Sequence, residues 1–141
     1  MFNLRSFEAR LRHWTDFRSS LEDSDKPFDD VVRYYNLVPL VSINTDPWDK
    51  SIWPGPWELV DQNQYCSFCK ILGMCYTLKL TERFKDAEFE IHIASDNKTS
   101  TSCYYLLVNN ETVVGYDEKS ISKEELPSSF YSQRIYTMEA L

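Results

Sequence analysis

Glycine is scarce in this chain, with 3 residues among 141, and its scarcity excludes the glycine-rich loops that cradle phosphates in nucleotide-binding proteins. No stretch approaches the roughly 18 apolar residues of a membrane-spanning helix, so no membrane association is expected. The first residues contain three arginines and lack the apolar run of a signal peptide. We therefore expect a protein that is made and used in the cytoplasm.

Positive charge is also scarce, because 15 lysine and arginine residues face 22 aspartate and glutamate residues and leave a formal net charge of −7. Proteins that bind DNA or RNA need a basic face to release counterions from the phosphate backbone. No run of basic residues supplies such a face, so no nucleic-acid partner is expected. The acidic balance instead suits a partner of a basic protein.

Aromatic side chains are abundant, at 15% of the chain, and hydrophobic residues reach 43%. This composition supports a packed core, and the length is that of one ordinary domain. No internal repeat, low-complexity tract or flexible linker divides the sequence. We expect a single domain that spans residues 1–141.

Helical signals fill the first half of the chain. An apolar stripe at three- and four-residue spacing predicts a first helix over Leu4–Leu21. Asp25 followed by Pro27 predicts the start of a second, short helix. Pro56 suits the first turn of a third helix, and a further helical pattern covers Tyr65–Met74.

Alternation of apolar and polar residues fills the second half. It predicts strands over Phe89–Ile93, Tyr104–Val108 and Thr112–Tyr116, with Asn109-Asn110 as the hairpin turn between the last two. Tyr76–Leu80 also alternates like a strand. The predicted fold class is α+β, with N-terminal helices packed on a three- to four-stranded antiparallel sheet.

Three segments give weaker signals. Leu37–Ser42 reads as extended chain, and Pro39 places it at a sheet edge or outside the sheet. Asn44–Trp48 has the chemistry of a turn. The tail from Tyr131 to Leu141 gives no prediction.

One arrangement of residues carries chemistry: a cysteine at a helix start, a histidine on the following strand and an asparagine at the end of the next strand. Cys66 lies near the predicted helix start, where unpaired N–H groups and the helix dipole stabilise a thiolate. A thiol, an imidazole and an orienting amide together form the working arrangement of cysteine acyl-transfer enzymes, here Cys66, His92 and Asn109. The alternative is a buried structural cysteine and an ordinary strand histidine.

The order and spacing of these parts resemble the transglutaminase-like core, a papain-related fold, over residues 57–109. The resemblance implies Cys66 as the nucleophile, His92 as the base and Asn109 as the orienting residue. Asp117 is a poorer candidate for the orienting role.

The sequence departs from the pattern of that family at two places. Gln64-Tyr65 stand before the cysteine, where the family has small residues, and Ile93-Ala94 follow the histidine, where it has an aromatic residue. These departures weigh against catalytic activity.

A second resemblance covers most of the chain. The segment from Asp46 through Trp57–Val60 to Leu80, together with the VVGYD run that ends at Asp117, looks like a family of small proteins encoded by large tailed phages, notably those of marine cyanobacteria. It implies an assembly or accessory protein in the host cytoplasm or in the virion, with other phage proteins or further copies of itself as partners. It implies no particular chemistry.

The four cysteines give no strong metal or disulfide signal. Cys66 and Cys69 form a CxxC pair, but no second such pair completes a zinc site with Cys75, Cys103 or His92. A thioredoxin-like interpretation is disfavoured, because a short helix and a turn precede the motif where a strand is required. We expect free thiols, no metal and no cofactor.

Three tryptophans, Trp48, Trp53 and Trp57, lie within ten residues. They suit a loop that folds over the core and anchors through indole N–H groups. The alternative is an exposed aromatic surface that binds a partner, since tryptophan is enriched at interface hot spots. We expect two of them to be structural and one to be a contact residue.

These observations together favour a non-catalytic assembly or protein-interaction module on a transglutaminase-like scaffold, with proteins as its partners. The alternative is a cysteine-dependent acyl-transfer enzyme or amidase that uses Cys66, His92 and Asn109. A third possibility is an inhibitor of a host protein, for which an acidic, aromatic surface is suitable. The enzyme alternative requires the Cys66 sulfur to lie within about 4 Å of a His92 ring nitrogen.

Overall fold

The computed structural model describes residues 1–41 and 45–139. Ser42 and Asn44, which belong to the predicted extended segment and the predicted turn, lie outside the described residues, as does Leu141 at the end of the tail. The α-helices are α1 (Phe7–Leu21), α2 (Pro27–Tyr35), α3 (Pro56–Gln62) and α4 (Ser67–Lys79), and short 3-10 helices cover Lys50–Ile52 and Lys123–Glu125.

The strands of the described part are β1 (Phe89–Asp96), β2 (Ser102–Val108), β3 (Thr112–Val114), β4 (Ile121–Ser122) and β5 (Phe130–Met138). They form one antiparallel sheet in the order β4-β3-β2-β1-β5. Asn109 and Asn110 are the central residues of the turn between β2 and β3, with positive φ angles of 52° and 57°, as both central residues of a type I′ turn require. The last strand returns across the sheet to pair with β1.

Helix α4 lies at the centre of the molecule. Every one of its residues except Ser67 and Lys70 is buried, because the sheet covers one side and the other helices pack around the rest. The sheet face against α4 carries the apolar side chains of β1 and β2, among them Phe89, Ile91 and Leu106. The opposite face carries a smaller apolar cluster that includes Tyr105 and Leu107.

A buried hydroxyl fixes α4 against α1 and α2. The Thr77 oxygen accepts a hydrogen bond of 2.9 Å from the Trp14 indole and lies 2.9 Å from the Tyr35 hydroxyl. Thr77 in turn donates to the Gly73 carbonyl within α4. Because all three residues are buried, this network sets the position of α4 and, with it, the position of its first turn.

A buried arginine joins α1 to α3. Arg10 is 7% exposed, and its guanidinium donates to four backbone carbonyls at 2.8–3.0 Å. Two of these carbonyls, those of Val60 and Asp61, belong to the last turn of α3, where carbonyls lack partners within the helix. The positive charge also complements the negative end of that helix dipole.

The predicted α+β class is confirmed, and the sheet has five strands where three to four were predicted. The strands that were not predicted are the short β4 and β5, the latter in the tail that gave no prediction. Tyr76–Leu80 is not a strand, because α4 continues through Lys79. A helix that is buried on all sides has no polar face, so its apolar period does not reveal its length.

Candidate functional site

Cys66 occupies the N-cap of α4. Asn63 ends α3 in the left-handed conformation, with a φ of 50°, and Tyr65 then pairs with the extended chain at Val41. Cys66 is extended, with φ −104° and ψ 176°, and the α-helix begins at the next residue. Its sulfur therefore takes the position of a capping side chain and accepts the backbone N–H of Cys69 at 3.4 Å.

The surroundings of this sulfur favour the thiolate. A hydrogen bond from the Cys69 thiol lowers the pKa of Cys66 well below that of a free thiol. Burial opposes this shift, and the backbone N–H groups of Thr45, Cys69 and Phe68 add to it. The pKa of Cys69 is raised, first by its hydrogen bond to Cys66 and then by burial. Both directions favour the thiolate on Cys66 and the protonated thiol on Cys69.

Cys66 lines an open cavity of about 490 Å³. A second cavity of about 510 Å³ adjoins it, because Ser67 and Tyr104 line both. We call the two together the Cys66 groove. The first cavity is lined by Thr45, Asp46, Pro47, Cys66, Ser67, Phe68 and Tyr104, and the second extends to Lys70, Asp117 and Glu118.

The structure places His92 away from the groove. Helix α4 covers the face of the sheet that carries Phe89 and Ile91, whereas His92 points to the opposite face, where its ring stacks on Tyr105 at 4.8 Å. Its Nδ1 lies 2.7 Å from the Ser132 hydroxyl. Burial lowers the pKa of His92, so the imidazole is neutral at pH 7.

The predicted grouping of Cys66, His92 and Asn109 is therefore corrected. The sheet itself separates His92 from the thiol. Asn109 lies in the hairpin turn, five residues along β2 from Tyr104, which corresponds to roughly 17 Å. Its side chain accepts the Glu88 N–H at 2.9 Å. Asp117, the poorer candidate in the sequence, lines the groove.

Two groove residues escaped the sequence interpretation. Thr45 supplies an N–H to the Cys66 sulfur, and its hydroxyl lies 3.2 Å from the Cys69 sulfur. Tyr104 forms the opposite wall. The alternation of β2 carried the signal for Tyr104, because residues 104, 106 and 108 share the face that α4 covers. Thr45 had no signal, since a turn residue reaches the thiol only through the tertiary fold.

The three tryptophans have different environments. Trp53 packs on Phe68 and Tyr136 at 4.9 and 4.7 Å, and its indole donates to the Asp46 carbonyl. Trp53 thus anchors the loop that forms one wall of the groove. Trp48 and Trp57 are 49% and 50% exposed, so their role in binding a partner stays a prediction.

Two further features of the described ranges, 1–41 and 45–139, bear on function. In them no three His, Cys, Asp or Glu side chains are grouped to hold a metal ion. The helices of the same ranges are too short or too polar to cross a membrane.

Solved structures with a similar fold come from Legionella pneumophila. Calcium-bound LapG matches with a TM-score of 0.64 at 14% identity, over 94% of this chain and 77% of that one. A second LapG structure matches with a TM-score of 0.66 at 15% identity, over 96% and 78%. No protein-family model and no curated sequence matches this chain. The likeness shows the fold, which is transglutaminase-like and papain-related.

This likeness contradicts the non-catalytic assembly or interaction module that the sequence favoured. The shared fold is the transglutaminase-like one, and it favours the cysteine-dependent alternative. The phage resemblance, the protein partners and the cytoplasmic location stay predictions.

Proposed function

We propose that the chain is a cysteine-dependent acyl-transfer enzyme whose nucleophile is the Cys66 thiolate. One observation carries the proposal: the Cys66 sulfur caps the start of α4, is hydrogen-bonded by N–H and S–H donors, and opens onto a groove. A thiolate that is stabilised in this way needs no base to remove its proton before it attacks.

The reaction proceeds in two steps. The Cys66 thiolate attacks the carbonyl carbon of the acyl donor, the carbonyl oxygen takes up negative charge, and the tetrahedral intermediate expels the leaving group. Water or an amine then attacks the acyl-cysteine, loses its proton to solvent and regenerates the thiolate.

Donors around the groove stabilise the charge that develops on the oxygen. Ser67 is the first residue of α4 and lies at the groove surface, where its backbone N–H is at the positive end of the helix dipole. Burial, with the charges of Cys66 and Asp46, raises the pKa of Tyr104. The Tyr104 phenol therefore stays protonated and is a hydrogen-bond donor on the opposite wall.

The position of His92 determines which acyl donors are suitable. An imidazole beside the thiolate protonates an amine as it leaves, and His92 is on the wrong face to do so. Thiolates and phenolates leave without a proton. We therefore infer that thioesters and activated esters are the preferred donors and that amides react slowly.

The test uses three donors that share one acetyl group. We expect turnover of phenyl thioacetate and para-nitrophenyl acetate, and a rate at least about 100-fold lower with the matching para-nitroanilide. An acetyl group should appear on Cys66 in mass spectra of the quenched reaction. The proposal is overturned if neither ester acylates Cys66, and the leaving-group argument fails if the anilide reacts as fast as the esters.

A further inference from the structure

The two cysteines of the CxxC segment are in direct contact at the start of α4. The Cys69 backbone N–H donates to the Cys66 sulfur at 3.4 Å, so the two residues meet within the first helical turn. The thiol of Cys69 also acts on the Cys66 sulfur, because its hydrogen bond lowers the pKa of Cys66. No backbone rearrangement across the fold is needed to bring the sulfurs together, because one helical turn already does so. Both cysteines are free thiols.

The two thiols differ in access. Cys66 is 5% exposed and lines the groove, whereas Cys69 is 3% exposed, lines neither cavity of the groove and has its sulfur 3.2 Å from the Thr45 hydroxyl. A molecule in the groove can therefore reach the Cys66 sulfur, whereas the Cys69 sulfur does not line the groove. Cys66 therefore has the position of an attacking thiol and Cys69 that of a resolving thiol.

We propose that Cys66 and Cys69 form a thiol–disulfide exchange site for low-molecular-weight disulfides such as oxidised glutathione. This activity is separate from acyl transfer and does not require it. The fold is not thioredoxin-like. Exchange needs only the local arrangement of two sulfurs, which other folds can also supply.

In this exchange the small disulfide is the oxidant of the two protein thiols. The Cys66 thiolate attacks one sulfur of the small disulfide, forms a mixed disulfide and releases the first small thiolate. Cys69 loses its proton to water, and its sulfur attacks the Cys66 sulfur and releases the second small thiolate. The two protein thiols lose two electrons in all, and the small disulfide gains them and becomes two thiols.

The other cysteines are poor resolving partners. Cys75 is fully buried two turns along α4, within the core, and burial raises its pKa to about 12. Cys103 is half-buried on β2 and lines only the second cavity of the groove. The proposal therefore predicts one defined disulfide in the folded protein.

Titration of the full chain with oxidised and reduced glutathione, followed by alkylation and peptide mapping, tests this proposal. The wild type should lose two hydrogens, protect Cys66 and Cys69 together from alkylation, and recover both thiols on addition of reduced glutathione. In Cys69→Ser, Cys66 should instead accumulate a glutathione adduct, because no resolving thiol remains. Cys75→Ala, a substitution outside the groove, should behave like the wild type.

Two results overturn the proposal. One is a wild-type protein that holds a stable glutathione adduct on Cys66 without closing the disulfide. The other is a disulfide that maps to a different pair. Because the wild-type measurement stands by itself, the proposal is testable even if Cys69→Ser folds poorly. Both activities use the Cys66 sulfur, but only the exchange needs Cys69. Acyl turnover without disulfide closure therefore overturns the exchange alone, and disulfide closure without acyl turnover overturns acyl transfer alone.

Discussion

Replacement of Cys66 by alanine is expected to lower kcat/KM for phenyl thioacetate by at least about 1000-fold, because the covalent step then has no nucleophile. The substitution removes one sulfur at the end of a helix and leaves the groove walls in place. In the variant, the hydrogen-bond donors of the groove can still bind the substrate, but no acyl intermediate can form. Steady-state turnover and circular dichroism of the two proteins, measured side by side, give the comparison.

His92→Gln is the matched control for this result. Glutamine keeps hydrogen-bonding groups near Ser132 and Glu90, the partners of the imidazole on the far face of the sheet. Turnover should stay within about threefold of wild type, since His92 does not reach the groove. A folded His92→Gln protein that loses activity as fully as Cys66→Ala would show that the imidazole acts in the reaction, contrary to the geometry.

Replacement of Arg10 by methionine is expected to lower the free energy of unfolding by about 3 kcal/mol. Methionine fills much of the space of the arginine stem but donates no hydrogen bond. Four carbonyls lose a charged donor, including the α3 carbonyls of Val60 and Asp61, which have no partner within their helix. The urea midpoint should fall by roughly 1.5 M.

Arg12→Met is the control for the loss of charge, because Arg12 lies on the same helix and is exposed. We expect its unfolding free energy to change by less than about 0.5 kcal/mol. Equal destabilisation by the two substitutions would mean that the four hydrogen bonds of Arg10 contribute little.

Local signals were sufficient to predict the starts of α2 and α3 and the position of the hairpin turn. Pro27 and Pro56 stand in the first turns of α2 and α3, and Asn109-Asn110 has the backbone conformation that its sequence predicts. The position of Cys66 at a helix start is of the same kind. Such features depend on neighbours within a few residues, which the sequence displays directly.

Whether the His92 imidazole reaches the Cys66 thiol could not be predicted from such local signals. Alternation in β1 correctly places His92 on the opposite face of the sheet from Phe89 and Ile91, but it does not indicate which face α4 covers. That choice is made by long-range packing, and it decides whether the imidazole meets the thiol. The strand β5 escaped for a related reason, since its residues are mostly exposed and its order depends on pairing with β1.

The central claim is that Cys66 is a thiolate at neutral pH without help from an imidazole. The reaction rate of a thiol with iodoacetamide follows its thiolate fraction, so a lowered pKa preserves the rate on the acid side. The hydrogen bond from Cys69, with N–H donors, lowers the pKa of Cys66 to about 5. Burial raises the pKa of Cys103, which makes it an internal control in the same sample.

The alkylation rate of each cysteine, measured by peptide mapping between pH 8 and pH 6, tests whether Cys66 is a thiolate at neutral pH. The account predicts that the Cys66 rate changes by less than about twofold over this range, while the Cys103 rate falls about tenfold per pH unit. A Cys66 rate that falls in parallel with that of Cys103 would contradict it.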